Sequence, residues 1–207
     1  MSNGLIITIE IMLIIDAPLL VLYLRGNWPK RVIIPCLIIL PLVWYLTYAL
    51  LHELSHVAGT YLVGGRVIDH QLIPRFWAGE FGRAWIKTEG FTQSWQLLVS
   101  TCFPYLLDVV GIVIGMLVLR RRFSTNAFVI GLVFMLLCLR STFDLASELT
   151  GFLSGDRGDF AAIVEIVGGA TAGLFGLIWA GLALVSMFIV LRRFAGFPEK
   201  MMTGYAG

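Results

Sequence analysis

Apolar residues run through this chain in five long stretches, interrupted by short polar turns and by one longer polar segment. Each stretch reaches or exceeds the roughly 20 residues that a helix needs to cross a bilayer. The stretches predict spans at about residues 4–24, 33–62, 95–119, 127–153 and 161–191. The second is longer than one crossing requires and carries Pro35 and Pro41, so tilt, a kink or a protruding end is expected. Gly168, Gly169, Gly173 and Gly176 in the fifth point to close helix approach. Between the second and third spans, residues 66–90 alternate apolar and polar positions around a glycine-containing break. That pattern predicts two short strands in a hairpin. The expected fold is an all-α membrane protein: one polytopic bundle of about five transmembrane helices with a β-hairpin insertion, and a single domain over residues 1–207.

Composition agrees with that class. Hydrophobic residues make up 58% of the chain and charged residues 14%, against about 45–50% and 25% in soluble domains. The first stretch lacks a basic leader and contains Glu10 and Asp16, so it reads as a retained span and not a cleaved signal peptide. Cys36, Cys102 and Cys138 all fall in apolar runs without close spacing, which indicates packing residues and no disulfide framework.

The net charge of +2 matters less than its distribution. Arg25, Lys30, Arg31, the Arg120–Arg122 run, Arg192, Arg193 and Lys200 cluster in alternate turns, opposed only by Glu199. By the positive-inside rule these segments are cytoplasmic. The N-terminus is then outside and the C-terminus inside, in what the sequence suggests is a prokaryotic cell membrane.

The second span carries His52-Glu53-Leu54-Ser55-His56. Residues four apart share a helix face, so both imidazoles can reach one metal ion. Glu53 then stands beside that ion as a base for a water molecule, the zincin plan of two histidines, a carboxylate and an open position. The setting sharpens the signal. A charged residue in mid-span costs about 2.5–3.5 kcal/mol on insertion scales, so such residues tend to line polar cavities. The bland alternative is a hydrogen-bonded cluster that ties helices together.

A zinc site needs a third protein ligand. His70 has no supporting spacing, and Glu80 and Glu89 fall in a stretch read as strands. The remaining acids are Asp108, Asp144, Glu148, Asp156 and Asp159. Matching depth favours the later ones, with Asp108 too deep. Arg140, Asp144 and Glu148 recur every four residues as one polar stripe, which reads first as an ion-pair ladder. Gly151, Gly155 and Gly158 suggest that the helix unwinds near Asp156. Glu10 and Asp16 either line a water path or form interior hydrogen bonds. Trp77, Trp85 and Trp95 read as an interfacial belt before a substrate surface.

From His52 to about Asp159 the chain resembles the site-2 proteases, zinc peptidases that cut within membranes. The likeness rests on the His52–His56 helix, the Gly64-Gly65 exit into strands, and an acid near the end of a later span. That family's later motif, Asn-x-x-Pro followed by Asp-Gly, lays Glu148 on the Asn, Gly151 on the Pro and Asp156 on the ligand. Pro and Asn are absent here, Arg157 separates Asp156 from Gly158, and Ser55 replaces a usual Gly. The resemblance implies His52, His56 and Asp156 as ligands of Zn2+ and Glu53 as the catalytic base; Asp159, Asp144 and Asp108 stay open as the third ligand. It implies substrates that are single-span membrane proteins or signal-peptide remnants. It also places the catalytic centre nearer the cytosol, whereas the charge pattern puts the histidines in the outer half. No sensing domain is evident, so control is expected from a membrane partner, from substrate trimming or from membrane context. From another class, the alternative is a non-catalytic scaffold or transporter-like protein with an intramembrane polar cluster.

Overall fold

The computed structural model describes residues 3–75, 78, 84–121, 124, 126–153, 155 and 158–193. The N-terminal run is helical in three consecutive pieces: α1 (Asn3–Glu10), a π-helical turn (Ile11–Asp16) and α2 (Ala17–Arg25). Helix α3 (Lys30–Leu62) follows, then the strands β1 (Arg66–Gln71) and β2 (Trp85–Glu89). Helix α4 (Ser94–Arg120) leads to α5 (Ala127–Phe134), which runs through a second π-helical turn (Met135–Leu139) into α6 (Arg140–Leu153). A short helix, α7 (Asp159–Val167), and the long α8 (Gly169–Arg193) complete the bundle.

Among the described residues, four helices are long and apolar enough to cross a membrane: Lys30–Leu62, Ser94–Leu119, Ala127–Leu153 and Gly169–Arg192. Helix α3 shows how the sequence divides its faces. Ile34, Ile38, Leu42 and Leu46 recur every four residues and are exposed, an apolar stripe suited to acyl chains. Cys36, Leu40 and Trp44 form the opposite stripe and are buried. They pack in one core with Leu19, Tyr23, Phe134 and Phe143. The Tyr23 hydroxyl donates to the Ala127 carbonyl at 3.1 Å, which satisfies its polar end inside that core. At 33 residues α3 is unbroken despite Pro35 and Pro41. Its length of about 50 Å exceeds the hydrocarbon thickness, as the sequence predicted.

Helix α3 stops in a Schellman motif. Gly64 has φ 81°, a conformation that favours glycine. The Gly65 amide donates to Thr60 O at 2.9 Å and the Gly64 amide to Tyr61 O at 3.1 Å. This turn feeds β1 directly. The strands are antiparallel, pairing Arg66 with Glu89 and Gln71 with Trp85, with an irregularity between Val67 and Asp69. The hairpin expected over residues 66–90 is therefore present; its tip, including Trp77, Glu80 and Arg83, lies outside the described residues. Gln96 ties the hairpin's exit to α3. Its Oε1 accepts from the Gln93 amide at 3.0 Å and its Nε2 donates to Val63 O at 2.9 Å.

Two expectations need correction. The fifth span does not begin near residue 161, because Gly168 takes φ 83° and separates α7 from α8. The glycines of α8 are also not the points of close packing. A Cβ at Gly169 or Gly173 would meet nothing within 4 Å. Tight approaches lie instead at Gly131, where a Cβ would run into the Tyr23 hydroxyl, at Gly59, 2.6 Å from Phe103 Cβ, and at Gly115, 2.7 Å from Leu137 Cβ. Gly59 and Gly115 bring α4 close to α3 on one side and to the second π-helical turn on the other.

Candidate metal centre

His52 and His56 lie one turn apart on the face of α3 that meets α4 and α7, and both are buried. Their ring centroids are 4.9 Å apart. Helix α7 contributes the third group from its first residue, Asp159. Its Oδ2 lies 2.7 Å from His56 Nε2 and 3.1 Å from His52 Nε2, and the two Nε2 atoms are 3.2 Å apart. Among the described residues this is the one His/Cys/Asp/Glu group with the geometry to hold a metal ion.

The surroundings determine what these atoms can be. His56 Nδ1 lies 2.9 Å from the Ser100 carbonyl, which can only accept, so Nδ1 carries the proton and Nε2 of the neutral ring presents a lone pair. His52 Nδ1 faces Asp144 Oδ1 at 3.4 Å, which favours the same tautomer. Three acceptors, two imidazole nitrogens and a carboxylate oxygen, then converge on one point. Such an arrangement is repulsive unless a cation, a proton or a metal ion, sits among them. Tetrahedral zinc with ligands near 2.0–2.1 Å has ligand-to-ligand edges of about 3.3 Å. The observed triangle is that figure slightly contracted, so the donor set fits a zinc ion.

Asp159 is held in place from outside the triangle. The Phe160 amide at the start of α7 donates to Glu148 Oε2 at 3.1 Å. Gly158 passes so close to that carboxylate that a Cβ there would stand 2.6 Å from Glu148 Oε2. On the α4 side, Ser100 Oγ and Thr60 Oγ1 share a hydrogen bond of 2.7 Å, next to the Ser100 carbonyl that holds His56.

The triangle opens on a cleft of about 330 Å³. Glu53, itself buried, lines this cleft beside both histidines. Strand β2 forms another wall through Trp85, Ile86 and Thr88. The arrangement thus combines a cation site, a carboxylate and the flank of a strand around one opening.

Of the residues singled out from sequence, His52, Glu53 and His56 come together. Asp156, read as the third ligand, lies outside the described residues, and the carboxylate that reaches the histidines is the alternative, Asp159. Asp144 stands behind His52, and Asp108 is one step further away, joined through Arg140. His70 pairs with Ile86 in the hairpin and is exposed. Glu89 forms an ion pair with Arg66 at 2.6 Å. Glu10 accepts a hydrogen bond from Thr150 Oγ1 at 2.5 Å, the interior role weighed for it.

One participant has no signal in the sequence, and two others take a different part from the one first expected. Ser100 acts through its backbone carbonyl, which leaves no side-chain signal. Glu148, a rung of the polar stripe and a candidate ligand in the sequence, turns to the α7 amide. Trp85, at the start of β2, lines the cleft, which favours the substrate surface over the interfacial belt for this tryptophan. The chain matches no protein-family model, no curated protein and no solved structure. Fold and site alone therefore define its class: a helical membrane bundle with a hairpin and a His/His/Asp cluster whose histidines are buried and whose aspartate is half-buried.

Proposed function

We propose that this protein is a zinc-dependent intramembrane endopeptidase of the site-2 protease kind, cutting peptide bonds in or beside transmembrane segments of membrane-protein substrates. The observation that carries this reading is the convergence of His52 Nε2, His56 Nε2 and Asp159 Oδ2 at 2.7–3.2 Å, with Glu53 on the same cleft. Zinc bound there would act as a Lewis acid, polarising the scissile carbonyl and acidifying water to a pKa of about 7. Glu53 takes the proton from the attacking water and passes it to the amine nitrogen as the C–N bond breaks. His52 and His56 stay neutral throughout, their Nδ1 protons facing Asp144 and the Ser100 carbonyl.

The position of β2 supports a peptide substrate. It pairs with β1 along one edge and borders the cleft. A substrate segment added alongside it would be held extended, which exposes its carbonyls for attack. Single-span proteins and signal-peptide remnants fit that mode. The proposed setting is a prokaryotic cell membrane crossed several times, and the charge pattern supports cytoplasmic basic turns and a cytoplasmic C-terminus. A regulatory membrane partner is part of the proposal.

Metal content separates this reading from a scaffold or transporter-like protein. Purified wild-type protein should carry about one zinc per chain, as a single three-ligand site requires. The His52→Ala/His56→Ala double variant should carry none. Equal zinc in the two proteins, measured by plasma mass spectrometry after gel filtration in detergent, would refute it.

A further inference from the structure

Behind the candidate metal centre lies a second polar layer, of which the peptidase reading touches only the edge at Asp144. Asp144 on α6 is fully buried, and its Oδ1 lies 3.4 Å from His52 Nδ1. Its other oxygen, Oδ2, is 3.6 Å from Arg140 Nε, one turn earlier on the same helix. Arg140 in turn lies 3.0 Å from Oδ1 of Asp108 on α4, also buried. A continuous line therefore runs from Asp108 through Arg140 and Asp144 to His52, crossing three helices.

An ion-pair ladder along α6 alone explains Arg140 and Asp144 but leaves two facts over. Asp144 points one oxygen away from its arginine and toward the histidine, and Arg140 reaches off its own helix to Asp108. The second π-helical turn, Met135–Leu139, ends directly before Arg140. A π turn inserts one extra residue and resets the facing of everything after it, and such turns recur at functional sites. Here Gly115 packs against Leu137 within that turn, which brings Arg140 beside α4. Burying two carboxylates and one guanidinium in a membrane bundle is costly even when they are paired. A cluster of this kind makes physical sense when its position matters.

We infer that Asp144 is a positioning residue for His52: it accepts the Nδ1 proton, fixes the tautomer that leaves Nε2 free, and orients the ring toward Asp159. Arg140, braced by Asp108, holds Asp144 in that pose. Partners of this kind on the far side of a metal-ligating histidine typically change metal affinity 10–100-fold when removed. The inference rests on the zinc reading above, and its test must be able to fail separately.

The experiment measures zinc affinity by chelator competition, and the visible spectrum of the cobalt(II)-substituted protein, on detergent-purified full-length chain. Asp144→Ala should weaken zinc binding by about 10–100-fold and shift the cobalt bands. Asp144→Asn keeps the shape and the acceptor oxygen but not the charge. It should recover part of the affinity while still shifting the bands, because a neutral partner makes His52 a weaker donor. If the alanine variant does not fold, the asparagine variant decides alone. The wild type gives an independent readout. Imidazole nitrogen-15 spectra of the zinc-loaded protein should show His52 protonated at Nδ1 and coordinated through Nε2. Wild-type affinity and spectra in a folded Asp144→Asn protein, or coordination through Nδ1, would overturn the positioning role while leaving the metal centre intact. If the wild type and the His52→Ala/His56→Ala variant bind zinc equally, the metal centre itself is lost and the positioning role with it.

Discussion

Replacing Glu53 by Gln should abolish peptide cleavage while the protein keeps its zinc and its fold. Glutamine matches glutamate in size and can occupy the same buried place on the cleft wall. It cannot accept a proton from water or return one to a leaving amine, and loss of a general base typically costs about 10²–10⁴-fold in rate. Glu53 is not a vertex of the His52/His56/Asp159 triangle, so the metal should stay. The assay is mass-spectrometric detection of cleavage of a single-span test protein co-reconstituted with wild type or variant, with zinc measured in the same preparations. Undiminished cleavage by the variant would end the peptidase reading. Zinc lost together with activity would instead make Glu53 a ligand, and the division of labour proposed for the motif would be wrong.

How much of this was legible in the sequence depends on the range of the forces involved. The His52–His56 pairing was legible because helical geometry is local: residues four apart share a face whatever surrounds them. The hairpin was legible because alternation and the Gly64-Gly65 exit are local signals too. The break between α7 and α8 was not. Gly168 is one of several neighbouring glycines, and only the packed structure selects the one that takes φ 83°. The π-helical turns leave no mark in periodicity, yet the second sets which way Arg140, Asp144 and Glu148 face. Read as a single stripe, those three looked alike. In the fold they separate, Arg140 toward Asp108, Asp144 toward His52 and Glu148 toward the Phe160 amide.

The third ligand shows the same limit more sharply, and it yields the second large prediction. Asp156 and Asp159 are three residues apart, and motif spacing alone chose the first. What favours Asp159 is non-local. Glu148, from another helix, fixes the Phe160 amide, which starts α7 at Asp159 and aims its carboxylate at the two imidazoles. A carboxylate in the first turn is also favoured by the helix dipole, which keeps it charged and able to bind a cation. Asp159→Ala should therefore reduce zinc affinity by at least 100-fold, beyond the roughly 10–100-fold typical of outer partners, and remove cleavage with it. Asp156→Ala should remain near wild type in both. Chelator competition on the two purified variants decides the matter. Zinc loss in Asp156→Ala with retention in Asp159→Ala would return the ligand role to the residue chosen by spacing. The contact between Asp159 and the histidines would then be an ion pair and not a metal vertex. Loss in both would overturn the assignment of the third ligand to Asp159 alone.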